Sequence, residues 1–282
     1  MAGTLFVVAT PLGNLEDMSA RAVRVLKEVA LIAAEDTRHS RILLTHFGIS
    51  TPITSYFDHV EHERAPKLVA RLRDGQDIAL ISDAGTPGIA DPGYRLVRGA
   101  IEAGIRVVPI PGASVVIAAL SAAGLPTDRF CFEGFVPNKA TARRAFFERL
   151  AGEPRTVVCF EAGRRLHESL LDLAAVMPAR DIVVARELTK VYEDFVRGRA
   201  AELADRAADL VARGEVTVLI APAPAVAKLD ESAMRAAIAQ RREEGLGLKA
   251  IAKQLAADSG WSAREIYQLG LGAMTADLEG GD

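Results

Sequence analysis

The sequence predicts an α/β protein built as two α/β/α layers in succession, followed by a small helical segment. Three observations carry this. Short apolar runs alternate with amphipathic helical patterns as far as Ala123, the pattern of a mostly parallel, doubly wound sheet. After Gly124-Leu125-Pro126 the alternation starts again. Beyond Pro222-Ala223-Pro224-Ala225, which reads as a linker, only helical periodicity remains. Length alone suggests roughly two domains at about 150 residues each, and the pattern places them at 1–112 and 113–224 with a small helical tail domain at 225–282.

Leu5 to Ala9 is an apolar strand that empties into Thr10-Pro11-Leu12-Gly13-Asn14, and Asp17 or Ser19 is placed to cap a helix through Ala22, Val23, Val25 and Leu26. Leu31 to Ala34 is a second strand ending in Glu35-Asp36-Thr37-Arg38, where Asp36 can cap a helix from Arg38 to Phe47. Ile53 to Tyr56 is a third strand and Arg64 to Arg73 a helix. Ile78 to Ile81 is a buried strand that opens into Ser82-Asp83-Ala84-Gly85-Thr86-Pro87-Gly88-Ile89-Ala90-Asp91-Pro92-Gly93. So much Gly and Pro admits unusual backbone angles and the close approach of another molecule. A helix from Tyr94 to Ala103, stopped by Gly104, leads to a fifth strand, Arg106 to Ile110. Pro111-Gly112-Ala113-Ser114 then opens an uncharged helix, Val115 to Ala123. Its first N–H groups suit an anionic group, or Ser114 simply caps it. In a parallel sheet the loops after the first, second and fourth strands share one edge and can line a common cleft.

In the second half, Phe130 to Phe132 is a strand ending in Glu133-Gly134-Phe135, followed by the basic stretch Pro137 to Arg144. Thr156 to Phe160, Ile182 to Ala185 and Val216 to Ala221 are further strands, with a helix from Ala200 to Arg213. The tail holds helical segments Ser232 to Glu244, Leu248 to Asp258 and Ser262 to Leu269, the last opened by a Ser262/Glu265 capping box. Three short helices with a glycine turn match a helix-turn-helix unit, although their mixed charge argues for packing rather than nucleic-acid reading.

With 50% hydrophobic and 25% charged residues the chain has ample core. A net charge of −3 excludes a protein that coats nucleic acid by overall charge, so any RNA contact must come from local basic patches. Cys131 and Cys159 stand apart, which indicates neither a zinc site nor a disulfide but small core residues in a reducing cytoplasm. Met1 to Ala9 lacks the basic flank of a signal peptide, and the uncharged run Val107 to Thr127 is split by Pro109, Pro111 and Gly112, so no membrane span is predicted. His59 and His62 lie one helical turn apart, but among Asp58, Glu61 and Glu63 they read as a solvated helix start, and no metal is predicted. The P-loop, the G-x-G-x-x-G fingerprint and the G-x-S-x-G elbow are all missing from the sequence. The residues by themselves lead to an α/β enzyme with a cleft for a small, partly anionic ligand.

Seven stretches follow one known pattern in order. They are Thr10 to Asp17, Ala34 to Arg38, Ser82 to Gly93, Pro109 to Ser114, Glu133 to Lys139, Ala185 to Lys190 with Tyr192-Glu193, and Gly214-Glu215-Val216-Thr217. Together they resemble the tetrapyrrole methylase superfamily from Gly3 to Leu271, and within it the branch that methylates small-subunit ribosomal RNA. The resemblance implies a class III methyltransferase using S-adenosylmethionine in a cleft between two α/β domains, a homodimer, and 2′-O-methylation of a cytidine ribose in the decoding region of 16S rRNA. Carried onto this chain, it places the cofactor among Pro11, Asp83, Gly85, Thr86, Pro87, Ala113, Ser114, Phe132, Glu133, Gly134, Leu188 and Thr217. One stretch departs from the pattern. Phe160-Glu161-Ala162-Gly163-Arg164-Arg165 has Gly163 and Arg164 where relatives carry Pro and His, which removes a histidine and offers a phosphate contact instead.

A ribose hydroxyl is a poor nucleophile and gains from a base. The candidates are Glu133, Asp36 and Lys190, with Asp83 beside them; Lys190 would need a depressed pKa and otherwise holds phosphate. The expected RNA contacts are Lys139, Arg143 and Arg144, joined by Arg38, Arg164, Arg165 and Arg186. Two other readings stay open. A methylase of a small tetrapyrrole would need neither the basic stretch nor the tail, and a non-catalytic RNA-binding module would need no cofactor cleft.

Overall fold

The structure is a computed structural model that describes residues 1–210, 214–224, 229–256 and 259–279. The chain divides into two compact units, Met1–Pro222 and Ala223–Asp282.

The first unit contains two five-stranded sheets. In the first sheet, β1 (Thr4–Val8), β2 (Leu31–Ala34), β3 (Ile53–Ser55), β4 (Ile78–Ile81) and β5 (Arg106–Ile110) run parallel in the order β3-β2-β4-β1-β5. β2 and β4 are buried at every position, which is why both read as unbroken apolar runs. Helices α1 (Ala20–Glu28) and α2 (Thr37–His46) cover one face with Val25, Leu26, Leu43 and Leu44. Helices α3 (Asp58–Arg73) and α4 (Tyr94–Glu102) cover the other with Leu68, Leu72 and Leu96. Ser19, not Asp17, caps α1, accepting from Ala22 N at 3.1 Å. Asp36 caps α2, accepting from Arg38 N at 2.8 Å. α3 begins at Asp58 rather than Arg64, with Asp58 and Glu61 in its first turn complementing the helix dipole.

The second sheet, unlike the first, is mixed in strand direction. Its strands are β6 (Phe130–Phe135), β7 (Thr156–Ala162), β8 (Asp181–Arg186), β9 (Asp194–Arg199) and β10 (Glu215–Ile220), in the order β6-β7-β10-β8-β9. Only β6 and β7 pair in parallel; β7–β10, β10–β8 and β8–β9 are antiparallel. β8 turns directly into β9 without a crossover helix, and strands so joined must run antiparallel. β9 is a strand the hydrophobic pattern does not announce, because as an edge strand it carries Asp194, Arg197 and Arg199. Helix α5 (Val115–Ala123) lies on one face of this sheet through Val116, Ala119, Leu120 and Ala123, which accounts for its lack of charge. Helices α6 (Ala140–Leu150), α7 (Leu166–Val176) and α8 (Ala200–Asp205) cover the other face. Phe147 is 1% exposed there, a burial that contributes about 1.5–3 kcal/mol. α7, through Leu166, Leu170 and Leu173, adds a helix beyond those expected, and α8 stops at Asp205, with residues 211–213 of the expected helix outside the described residues.

The second unit packs α9 (Glu231–Glu243), α10 (Leu248–Leu255) and α11 (Ala263–Glu279) around Met234, Ile238, Ile251, Ala252 and Ile266. The capping box forms: Glu265 Oε2 accepts from Ser262 N at 2.7 Å, and Ser262 Oγ accepts from Glu265 N at 3.2 Å. Asp258 and Ala225, the expected end of α10 and of the linker, lie outside the described residues. Among the described residues no helix is long and apolar enough to cross a membrane.

Candidate active site

All strands of the first sheet end on one edge, and the loops after β1, β2 and β4 meet there. Thr10 and Gly85 bridge two of them: Gly85 O accepts from Thr10 N at 2.8 Å, and Thr10 O accepts from Gly85 N at 3.0 Å. Gly85 has φ +76°, the left-handed region, and a Cβ on it would lie 3.3 Å from Leu12 Cδ2. The loop after β2 joins through Asp83, whose Oδ1 accepts from Asp36 N at 3.1 Å and whose N donates to Glu35 Oε2 at 3.3 Å. The far end of the Ser82–Gly93 loop is held by Glu61, which is 8% exposed and accepts from Gly93 N at 2.7 Å and Tyr56 OH at 3.1 Å.

The non-glycine residues with positive φ among the described residues are Ala90 (63°), Glu187 (52°) and Thr189 (65°). Ala90 sits in the loop after β4, and Glu187 and Thr189 sit in the β8–β9 connection of the second sheet. Such conformations cost of order 1–3 kcal/mol each and persist where the surroundings impose them, commonly at functional sites.

Three hollows meet here. The first, about 390 Å³, lies between Leu12 and Ala84 on one side and Phe160, Leu188, Lys190 and Thr217 on the other. The second, about 320 Å³, is lined by Glu35, Asp83, Thr86, Asp91 and Ser114, with Phe160 and Glu215. The third, about 510 Å³, is lined by Pro11, Leu12, Leu15, Ser40, Ile42, Leu43 and Asp83. Ala84 is common to all three, Asp83 joins the second to the third, and Lys190 the first to the third. The hollows therefore form one branched cleft between the two sheets.

Burial pushes the Glu35 carboxyl up to about 7, against the hydrogen bond from Asp83 N and aided by the charges of Asp91, Asp83 and Asp58. Burial likewise pushes Asp91 up to about 6, against a hydrogen bond from Ser82. Asp36 behaves oppositely, held below the usual carboxylate range by hydrogen bonds from the Arg38 backbone and guanidinium. Near neutral pH Glu35 divides between its two forms, the condition in which a carboxylate serves best as an acid or base.

Of the expected cofactor residues, Asp83, Gly85, Thr86 and Ser114 line the second hollow, Leu188 and Thr217 the first, and Pro11 the third. Pro87 is buried within the loop, and Ala113 O accepts from Thr86 Oγ1 at 3.4 Å. Ser114 precedes α5 but makes no side-chain cap bond, so capping does not explain it. The Phe132 ring meets that of Phe160 at 4.8 Å with their planes tilted by 59°, and Gly134, φ +70°, sits in a bulge of β6. Glu133 lies elsewhere. Strand alternation turns it away from Phe132, its Oε2 accepts from Arg149 at 2.9 Å, and it lines none of the three hollows. Asp36 is committed to its cap. Lys190 lies on the cleft wall with Nζ 3.3 Å from Glu187 Oε2, and its stem occupies the space a side chain on Gly13 would need.

The basic residues divide by burial. Arg143 points into the interior: its side chain is 4% exposed, with Nε 2.7 Å from Asp172 Oδ2 and Nη2 3.3 Å from Glu168 Oε2. It is a packing residue, not an RNA contact. Arg144 shares Asp172 at 2.7 Å but stays 63% exposed. Arg165 is drawn to the buried Glu161 at 2.5 Å and Arg186 to Asp194 at 2.6 Å. Arg38, Lys139 and Arg164 are exposed. Sequence reasoning passed over Glu35 and Ser40, gave Asp91 no role of its own, and read Glu61 as part of a solvated helix start, whereas Glu61 is 8% exposed and holds the Gly93 end of the loop. For Glu35 a signal existed: with Asp36 assigned as a cap, its neighbour was the carboxylate left for the cleft. Among the described residues no group of three or more His, Cys, Asp or Glu could hold a metal ion.

Comparison with known proteins agrees with this architecture. Residues 4–204 match the family described as Tetrapyrrole (Corrin/Porphyrin) Methylases. The chain is 56% identical over 223 residues to ribosomal RNA small subunit methyltransferase I of Pseudomonas aeruginosa, covering 78% of this chain and 79% of that one. It is 46% identical over 272 residues to the protein of the same name from Synechocystis, covering 95% and 98%. Among solved structures it is similar to the methyltransferase CobJ, with TM-score 0.60 and 19% identity over 81% of this chain and 97% of that one. It is also similar to diphthine synthase, with TM-score 0.57 and 18% identity over 77% and 89%.

Proposed function

Because the chain belongs to the tetrapyrrole methylase family, and within it to the ribosomal RNA small subunit methyltransferase I family, we propose that it transfers a methyl group from S-adenosylmethionine to a cytidine ribose 2′-oxygen in 16S rRNA of the small ribosomal subunit, in the cytoplasm. The observation that carries the reading is the branched cleft around Ala84, which offers separate but joined places for a methyl donor and an acceptor. A protein that only bound RNA would have no use for it. The homodimer that the resemblance implies belongs to the same proposal, and a mass measurement in solution checks it.

The first two hollows suit the donor. When bound, S-adenosylmethionine supplies an electrophilic methyl group on a sulfonium. Carboxylates of Asp83 and Asp91 complement a cationic ligand, Gly85 lets the backbone turn close to it, and Ser114 and Thr217 offer hydroxyls. Phe160, packed at a tilt against Phe132, gives the cleft an apolar wall. In-line displacement depends chiefly on positioning, and the hydrogen bonds among Thr10, Gly85, Asp83 and Glu35 fix the loops that do it. Glu35 is the group placed to take the ribose proton, in preference to Glu133 on the wrong face and Asp36 in its cap.

Labelled methyl from S-adenosylmethionine is expected on 30S subunits from a strain lacking this gene, at a cytidine 2′-oxygen. Tight donor binding with no label on RNA would instead favour a small tetrapyrrole-like acceptor. Of the expected RNA contacts, Arg38, Lys139, Arg144 and Arg164 are exposed, with Arg38 also paired to Asp36 and Arg144 to Asp172. Alanine at each is expected to reduce the slope of log affinity against log salt by about 0.7 per lost contact. Slopes equal to wild type would remove them from the RNA surface.

A further inference from the structure

After Met1, the large apolar side chains most exposed among the described residues are Val191 (92%) and Tyr192 (81%). They are neighbours in the connection between β8 and β9. That connection is braced. Glu193 N donates to Lys190 O at 3.1 Å, closing a turn over Val191 and Tyr192, and Lys190 N donates to Glu187 O at 3.0 Å. Glu193 Oε2 accepts from Thr189 N at 2.7 Å, and the Lys190 stem packs over Gly13 of the loop after β1. Single exposed apolar side chains are ordinary, but two adjacent ones fixed on a braced turn mark a contact surface.

A groove of about 690 Å³ runs between this turn, with Lys190 and Val191, and the end of α2, with His46 and Phe47; Leu15 and Glu16 also line it. It shares Gly13, Leu15 and Lys190 with the third hollow, so it leads out of the cleft. Beyond it α2 presents Arg38, Arg41, Ile42 and His46 to solvent, three or four residues apart, and contains no acidic residue of its own. Cations beside an exposed aromatic ring fit single-stranded RNA, whose phosphates take the charge and whose bases take the ring. A second copy docking through the same patch would instead set these cations against one another.

We propose that this groove carries the unpaired RNA strand that leads away from the modified nucleotide, with Tyr192 stacked on a flanking base and Arg38 and Arg41 on its phosphates. This rests on the rRNA-methylating reading above and concerns the nucleotides beside the target, not the target itself. Bracing gives the turn its use, because a ring held in place loses little freedom when a base settles on it. Stacking tolerates any base, since each has a π-face, but it requires the base to be free of its own helix. Tyr192 thereby selects a single-stranded surrounding rather than a sequence.

Tyr192→Ala tests the assignment. The KM for 30S subunits is expected to rise about five- to a hundredfold, the range by which alanine weakens one stacked base, while kcat and donor affinity stay near wild type. An 81% exposed side chain carries little of the fold, so the thermal midpoint stays in place. Tyr192→Phe keeps the wild-type KM and Tyr192→Leu does not, because only the first retains a ring. The slope of log affinity against log salt is unchanged in Tyr192→Ala and falls by about 0.7 in Arg41→Ala. A wild-type KM in Tyr192→Ala, or leucine serving as well as phenylalanine, would overturn the proposal. So would a Tyr192→Ala protein of lower mass in solution, which would give the turn to a second copy of the chain. Wild-type enzyme that labels no RNA removes the functional reading and this assignment together, whereas active wild type with an indifferent Tyr192→Ala removes only the stacking platform.

Discussion

Replacing Glu35 with glutamine lowers the methyl-transfer rate about 10²–10⁴-fold, the range a positioned general base supplies, a loss larger than any change in donor affinity, since the amide oxygen can still accept from Asp83 N. The sign of the pH dependence follows from the carboxyl pushed up to about 7 by its burial. Only the ionised form accepts a proton, so wild-type kcat/KM rises about tenfold per pH unit below that value and levels off above it. Glu35→Gln loses this limb. Asp91→Asn keeps it but moves it to lower pH, because the Asp91 charge is one of the influences that raise Glu35. Single-turnover rates on 30S subunits between about pH 5.5 and 9 would decide the matter. A glutamine variant with the wild-type rate and limb would exclude Glu35 as the base.

Arg143→Ala acts on stability rather than on RNA. Its partner Asp172 has a side chain 7% exposed, and removing the guanidinium leaves this buried carboxylate with only the exposed Arg144 as counter-charge. Leaving a buried charge with no partner costs about 3–5 kcal/mol; with Arg144 still bridging Asp172 the loss is smaller than that, and is read as a lower denaturant midpoint at unchanged slope. Arg143→Met combined with Asp172→Leu recovers much of the loss, since an apolar pair of similar volume removes both buried charges. Burial works to raise the Asp172 carboxyl, but hydrogen bonds from Arg144 and Arg143 outweigh it and hold the group below its ordinary value. The resulting stabilisation is therefore complete above the unfolded-state pKa of about 3.9 and disappears as pH falls through the lower folded value. An unchanged midpoint with weakened RNA binding would return Arg143 to the RNA surface.

Those two residues also mark where the sequence was legible. The first sheet could be read almost strand for strand, because Leu31–Ala34 and Ile78–Ile81 are buried on both faces and carry no polar residue to obscure them. β9 could not be, since an edge strand with Asp194, Arg197 and Arg199 looks like a loop. The order of the second sheet was hidden for a different reason: alternation along the chain does not say which strands become neighbours. α7 was legible in principle, with Leu166, Leu170 and Leu173 on one face. Ligand loops announced themselves through glycine and proline, yet side-chain direction did not. A basic stretch reads the same whether its arginine faces solvent or, like Arg143, a buried aspartate. The direction of Glu133 turned on a single step of strand alternation, and its partner Arg149 lies a full helix away in sequence.

Ala84, the residue common to all three hollows, bears on inhibition. A compound that fills the donor region and one that fills the third hollow would come within one methyl group of each other. Joined covalently, they turn the second binding event into an intramolecular one, at an effective concentration in the millimolar range for a short flexible connection. A substitution enlarging the Ala84 side chain, which all three hollows share, is expected to weaken such a joined compound more than either half alone.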